Sequence, residues 1–213
     1  MIPGGVARYL AVADRLLPGR IAGFYLVGSY ALGAWREGRS DLDFVAVVDG
    51  EPGLGRLALL HKLGNLGPAG RALLRRDPGV PGTVNGVFVA AADVGRPVTT
   101  IRPLASHSGW RFQRGRGFEA NPVVWKVLLE RGVTVRGQEP AALGLDPEPH
   151  RLREWNLGQL HGHFTTWARR ALSDDPPRKP LVPAGTVALT TVLAPPRLHH
   201  TVTTGEVISK EAA

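Results

Sequence analysis

The sequence predicts an α/β layer followed by a helical region, and three observations carry that reading. Short apolar, β-branched and aromatic runs at Ile21 to Val27 (IAGFYLV), Leu42 to Val48 (LDFVAVV) and Thr83 to Ala90 (TVNGVFVA) have the length and composition of buried strands. The segments between them are helical in character, so the order is strand, helix, strand, helix, strand, which excludes a helix bundle or a sandwich. After residue 120 helical patterns take over.

Between the first two runs, GSYALGAWREGRS follows the first strand directly and has room for a helix of about two turns. Gly53 to Leu66 places Leu57, Leu60, Leu63 and Leu66 on one face and reads as the second helix despite its glycines. Arg96 to Gly117 holds five arginines (Arg96, Arg102, Arg111, Arg114 and Arg116), two prolines and several glycines, and reads as a long, partly ordered loop. Asn121-Pro122 then opens a helix that runs to Gly132, with Asn as cap and Pro in the first turn. Another helical stretch lies within Pro147 to Ala171, Asp174 to Pro183 is a Pro-rich linker, and Thr186 onward is helical again. The expected division is a first domain at 1–145 and a helical one at 146–213.

A chain of 213 residues with 43% hydrophobic content can bury a full core without a disulfide or a structural metal. It has no cysteine, which excludes a disulfide framework, a thiolate zinc site, an iron-sulfur cluster and cysteine nucleophilic catalysis, and suits a cytoplasmic location. No apolar run approaches the roughly 20 residues of a membrane span, and the N-terminus lacks the basic head and apolar stretch of a signal peptide. The net charge is +8, but only four of the 26 basic residues are Lys. With 27 Gly and 18 Pro this is the mark of a GC-rich coding bias, so charge alone selects no partner. The arginine-rich segment has only Trp110, Phe112 and Phe118 as aromatic company, and no helix-turn-helix pattern is visible, which argues against nucleic acid.

The sharpest feature is Gly28-Ser29, eleven residues, then Asp41-Leu42-Asp43. Alternate residues of a strand point the same way, so Asp41 and Asp43 present two carboxylates to one place. Side by side they repel unless a cation lies between them, and hard oxygen ligands suit Mg²⁺. Gly28 lets a phosphate approach the backbone, Ser29 supplies a hydroxyl, and the helix starting there offers N–H groups to an anion. A phosphate cradle facing a divalent-metal seat is equipment for phosphoryl or nucleotidyl transfer. The plainer reading, a solvated Asp-rich turn leading into a strand, does not account for the Gly-Ser placed after the preceding strand.

YLVGSYALGAWREGRSDLDFVAVV resembles the Gly-Ser, Asp-x-Asp signature of the polymerase-beta-like nucleotidyltransferase superfamily. NGVFV followed by AADV, NPVVWKVLLERGVTVRGQEP, and RLHHTVTTGEVISKEAA resemble one branch, the aminoglycoside (streptomycin/spectinomycin) adenylyltransferases with their helical C-terminal domain. The resemblance implies a mixed sheet with flanking helices, ATP as substrate, and transfer of AMP to a hydroxyl of an aminoglycoside-type antibiotic or similar small polyol. It further implies that Asp41 and Asp43 hold Mg²⁺, that Gly28, Ser29 and Ser40 contact the nucleotide phosphates, and that Arg197 and Lys210 reach them from the C-terminal domain.

The sequence departs from the family pattern at three places. Asn85 stands where the family has a third carboxylate, ligand and base; it can offer a carbonyl oxygen but cannot take a proton, and Asp93 or Glu119 are candidates for that task. Pro195-Pro196 predicts an interruption of the helix leading to Arg197. The chain stops at Ala213, short of the helices with which family members continue, so the helical domain is expected to be truncated. Two further readings follow: a catalytically weak or inactive nucleotide-binding homologue, and an adenylyltransferase acting on a protein partner.

Other residues carry less. His161 and His163, two apart, face different sides of a helix, and the neighbours His199 and His200 are no better placed for a metal. Trp125, Trp155 and Trp167 read as core, and the acidic pairs Asp146/Glu148 and Asp174/Asp175 as solvated loop carboxylates.

Overall fold

A computed structural model describes residues 2–76, 82–109, 111–172 and 184–213, and the chain divides into two compact units, Met1–Glu148 and Pro149–Ala213. The linker at Asp174 to Pro183, with the Asp174/Asp175 pair, and Trp110 lie outside the described residues.

The first unit runs α1 (Gly4–Leu16), β1 (Ile21–Leu26), α2 (Gly28–Ala31), β2 (Leu42–Val48), α3 (Leu54–Gly64), α4 (Leu66–Arg75), β3 (Val84–Ala90), β4 (Ala105–Ser108), β5 (Arg111–Arg114), α5 (Pro122–Arg131) and β6 (Val133–Arg136). The six strands form one sheet in the order β5-β4-β3-β2-β1-β6, with β2 and β3 parallel and every other neighbour antiparallel. This is the mixed sheet with flanking helices that the sequence implies.

Several elements differ from the expectation. Helix α1, passed over in the sequence, buries Val6, Tyr9, Leu10 and Ala13, spaced as one helical face. The segment expected to be a two-turn helix after β1 has a single turn, α2, because Gly33 (φ +70°) and Gly38 (φ +73°) take left-handed conformations that end helical winding. The second expected helix breaks at Asn65, whose side chain accepts from Val84 N (2.8 Å) and donates to Val84 O (3.2 Å), hooking the α3–α4 junction onto the start of β3. The arginine-rich stretch, expected to be a loop, contains the β4–β5 hairpin; its arginines lie on the sheet edge, where charge discourages further strand pairing. Asn121 caps α5 as expected, accepting from Val123 N (2.9 Å) and Val124 N (3.0 Å).

One sheet face packs on α1 and α3. Phe24, Leu26, Phe44, Ala46, Val48, Val84, Phe88 and Ala105 meet Val6, Tyr9, Leu10, Ala13, Leu17, Leu57 and Leu60 there. Strand alternation sends Asp43, Val45 and Val47, and Asn85, Val87 and Val89, to the opposite face. Trp125, Val127 and Leu128 of α5 are buried outside the first cluster. Two cooperating oxygens tie α1 to the edge strand β6: Arg136 donates to both carboxylate oxygens of Asp14 at 2.6 and 2.8 Å, and this pairing holds the Asp14 carboxyl below its ordinary range.

The second unit consists of α6 (Pro149–Gly158), a wider π-helical turn at Gln159–Phe164, α7 (Thr165–Ala171) and α8 (Ala184–Thr204). The widened turn carries two glycines, Gly158 on its flank and Gly162 within, and the Thr165 hydroxyl donates to Leu160 O at 3.0 Å. Helix α8 continues through Pro195 and Pro196, which corrects the expected interruption. Each proline removes one donor from a single turn, and the turns on both sides remain helical. Trp125 is core as expected, whereas Trp167 is 41% exposed. Among the described residues no helix is long and apolar enough to cross a membrane.

At the centre of the first core His107 is fully buried between Tyr9, Phe44, Phe88 and His61; its ring lies 4.4 Å from that of His61, and its Nδ1 shares a 3.0 Å hydrogen bond with the Tyr9 hydroxyl. Burial first, and the charge of His61 second, push its pKa down to about 3, opposed by a backbone hydrogen bond at Leu57. An unfolded histidine titrates near about 6.5, so the unfolded chain binds the extra proton between these values. The neutral ring's contribution is complete above about pH 6.5 and is lost as pH falls toward 3, at up to ~1.4 kcal/mol per pH unit. Replacing the ring by His107→Phe should therefore shrink the drop in unfolding free energy between about pH 7 and about pH 5 in urea titrations. Equal drops in both proteins would refute this account.

Candidate functional site

The site grows from the neighbouring ends of β1, β2 and β3. Leu26 ends β1, and Val27 N donates to Asp43 O (2.9 Å), which sets the following turn beside β2. There Gly28 has φ +57°, and a Cβ built on it would lie 2.2 Å from Asp43 Oδ2. Only glycine lets the backbone rest against that carboxylate, so the Gly28–Asp43 contact joins the two halves of the sequence motif. Ser29 follows in the half-buried turn α2. Ser40 closes the turn before Asp41, its hydroxyl accepting from Arg36 N at 3.1 Å.

Asp41 is held from β3 and the two residues before it. Its Oδ1 accepts from Gly82 N (3.1 Å), Thr83 N (3.2 Å) and the Thr83 hydroxyl (3.0 Å), and its Oδ2 accepts from Asn85 Nδ2 (3.1 Å). Asn85 is the register partner of Asp43 across the parallel β2–β3 pair. It also donates to the Thr83 hydroxyl (3.0 Å), and its Oδ1 accepts from Gly109 N (3.0 Å) at the β4–β5 turn. The amide oxygen that could face a metal is thus used to pin that turn, and the amide nitrogen neutralises part of the charge on Asp41. Thr83 and Gly82 were not singled out from sequence; the available signal was Thr83 standing two residues before Asn85, on the same side of the strand.

Of the two alternative carboxylates, Asp93 is excluded by position. It lies beyond the far end of β3, at least ~17 Å from Asn85 at the usual rise per residue, and Arg96 donates to it at 3.1 Å. Glu119, in the turn before α5, is on the side of the sheet that bears Asp43 and Asn85. A Cβ on Gly117 would lie 2.9 Å from Val87 Cγ2, 3.1 Å from Ser106 Cβ and 3.4 Å from Glu119 Oε2. Burial raises the Glu119 pKa, opposed by its own backbone N–H.

Arg197 and Lys210 belong to the second unit, Arg197 half-buried on α8 and Lys210 exposed in the turn near the C-terminal end. The first unit brings together Gly28, Asp43, Asp41 and Asn85, with Ser29 and Ser40 on the adjoining turns. Among the described residues no group of three or more His, Cys, Asp or Glu is arranged to hold a metal.

Comparison with known proteins agrees with this architecture. The family model described as "Nucleotidyltransferase domain" matches residues 8–68, the span from α1 into α4 that contains Gly28-Ser29 and Asp41-Leu42-Asp43. Among solved structures, the chain is similar to the spectinomycin adenyltransferase AAD(9) from Enterococcus faecialis, crystallised with ATP and spectinomycin. That match has a TM-score of 0.67 at 14% identity and covers 98% of this chain and 79% of that one. A search of the curated proteins finds no match. The chain therefore has the nucleotidyltransferase fold, with the nucleotidyltransferase domain motif carried by residues 8–68.

Proposed function

We propose that the protein is an adenylyltransferase that moves AMP from ATP to a hydroxyl of an aminoglycoside-type antibiotic or a similar small polyol. The observation that carries this reading is the seating of Gly28 on the Asp43 carboxylate, next to an Asp41 held by four hydrogen bonds. It puts a backbone open to phosphate against a pair of hard oxygen ligands. The donor chemistry fits Mg²⁺, with Asp41 and Asp43 as its protein ligands. When bound, the ion would offset the negative charge of the triphosphate and of the leaving group.

The chain's own residues supply the remainder. Gly28 and Ser29, with Ser40, meet phosphate oxygens through backbone and hydroxyl groups, and Arg197 and Lys210 are the helical unit's candidates for the same charge. In the reaction the substrate hydroxyl oxygen bonds to the α-phosphorus, the bond from that phosphorus to its bridging oxygen breaks, pyrophosphate leaves, and the hydroxyl proton passes to a base. The AAD(9) structure, described with ATP and spectinomycin, supports this substrate class. Asn85 at the third-carboxylate position favours one other reading, a homologue that binds nucleotide without turnover.

Incubation with ATP, Mg²⁺ and either spectinomycin or streptomycin should release pyrophosphate and add one AMP to the drug, read by a coupled assay and by mass. ATP binding in calorimetry without pyrophosphate release from either drug would favour the non-catalytic homologue. Asp43→Ala should cost about a hundredfold to a thousandfold in rate; an unchanged rate would refute the metal seat. Gly28→Ala should lower the rate by about a hundredfold, because its Cβ must displace the Asp43 carboxylate. Native kinetics in that variant would show the contact to be dispensable.

A further inference from the structure

We infer that Glu119 is the proton acceptor for the attacking hydroxyl, taking a task that Asn85 cannot perform; this rests on the transfer reaction proposed above. An alcohol oxygen that bonds to phosphorus must lose its proton. An amide does not accept one at neutral pH. Both amide hydrogens of Asn85 are in use, donating to Asp41 and Thr83, and its oxygen accepts from Gly109 N.

Position narrows the alternatives. Asp93 lies past the far end of β3, and Arg96 neutralises it. His61 and His107 belong to the other face of the sheet, His107 packed among Tyr9, Phe44 and Phe88. Asp41 and Asp43 form the cation seat, where a carboxylate's lone pairs are directed at metal and at their hydrogen-bond donors. Glu119 shares the face with Asp43 and Asn85. Its Oε2 and the Val87–Ser106 pair, the next same-face pair along the β3–β4 ladder, border the same position, that of a Cβ on Gly117. Val87 is two residues from Asn85, a displacement of ~7 Å along the strand. Helix α5, which begins just after Glu119, packs against α2, the turn that carries Gly28 and Ser29. The glycine at position 117 is what allows this approach, since a side chain there would collide with Val87 and Ser106.

The environment suits the task. Glu119 is partly withdrawn from water, and that desolvation makes its carboxylate a stronger base than an exposed one. In the step, one carboxylate oxygen takes the hydroxyl proton as the new O–P bond forms, and the proton leaves to solvent after pyrophosphate departs.

Glu119→Gln keeps size and removes the base, and since burial already disfavours the charged form, the variant should fold with an unfolding midpoint no lower than the native one. With spectinomycin or streptomycin as acceptor, kcat should fall at least about a hundredfold, while the Kd for ATP stays within about threefold. A kcat within about threefold of native, or a loss of rate matched by an equal loss of ATP affinity, would overturn the assignment. A native chain without turnover on either drug overturns both this assignment and the transfer reading. Native turnover with an undiminished Glu119→Gln overturns this assignment alone.

Discussion

Repulsion between two carboxylates sets the terms for this molecule. Asp41 and Asp43 stand one residue apart at the entrance of a strand whose next five residues are buried, where exposed charge cannot be dispersed into water. The structure answers it from β3 and the two residues before it. Thr83 and Gly82 supply backbone and hydroxyl donors to one oxygen of Asp41, and Asn85 supplies an amide hydrogen to the other. Those donors exist only if β3 lies parallel to β2 in the observed register, Asp43 opposite Asn85. The crossover through α3 and α4, and the Asn65 hook that fixes where β3 begins, are therefore conditions of the site as much as of the fold.

Much of this was legible in the sequence, and the reasons for the rest are physical. The three central strands were readable because each is buried on both faces and so almost continuously apolar. The Gly-Ser and Asp-x-Asp pieces were readable as partners because a strand, a tight turn and a second strand are the shortest way to bring them together. What was not legible lies at the edges. The β5 segment, RFQR, is polar because it is the edge of the sheet, where strands lack the apolar signature of central ones, and the buried β4, ASHS, carries Ser106 and His107 in place of aliphatic residues. Helix α1 was overlooked although its buried positions keep helical spacing. The prolines of α8 misled because their local cost, two missing donors, is real but smaller than what the rest of a 21-residue helix can sustain.

The role of Asn85 was half legible. Its place in the site was suggested by its match to the family's third-carboxylate position, and its inability to take a proton followed from its chemistry. The sequence could not tell that its amide would be spent on both sides, toward Asp41 and toward the β4–β5 turn. That exchange alters the balance of the site. A third carboxylate would have added charge to a pair already in tension. An amide removes some of it, and in addition ties the arginine-rich hairpin to the Asp41/Asn85 pair through Gly109.

The two faces of the sheet thereby divide their labour. One face collects the aromatic rings and the buried histidine, whose neutral state is favoured by burial. The other face keeps its ionised groups at the strand entrances and its apolar residues, Val45, Val47, Val87 and Val89, farther along. Glu119 lies on that second face, and its burial disfavours the charged carboxylate and raises its pKa. The alternation of a β-strand, two residues to a period, is what makes such a division possible within a single short strand.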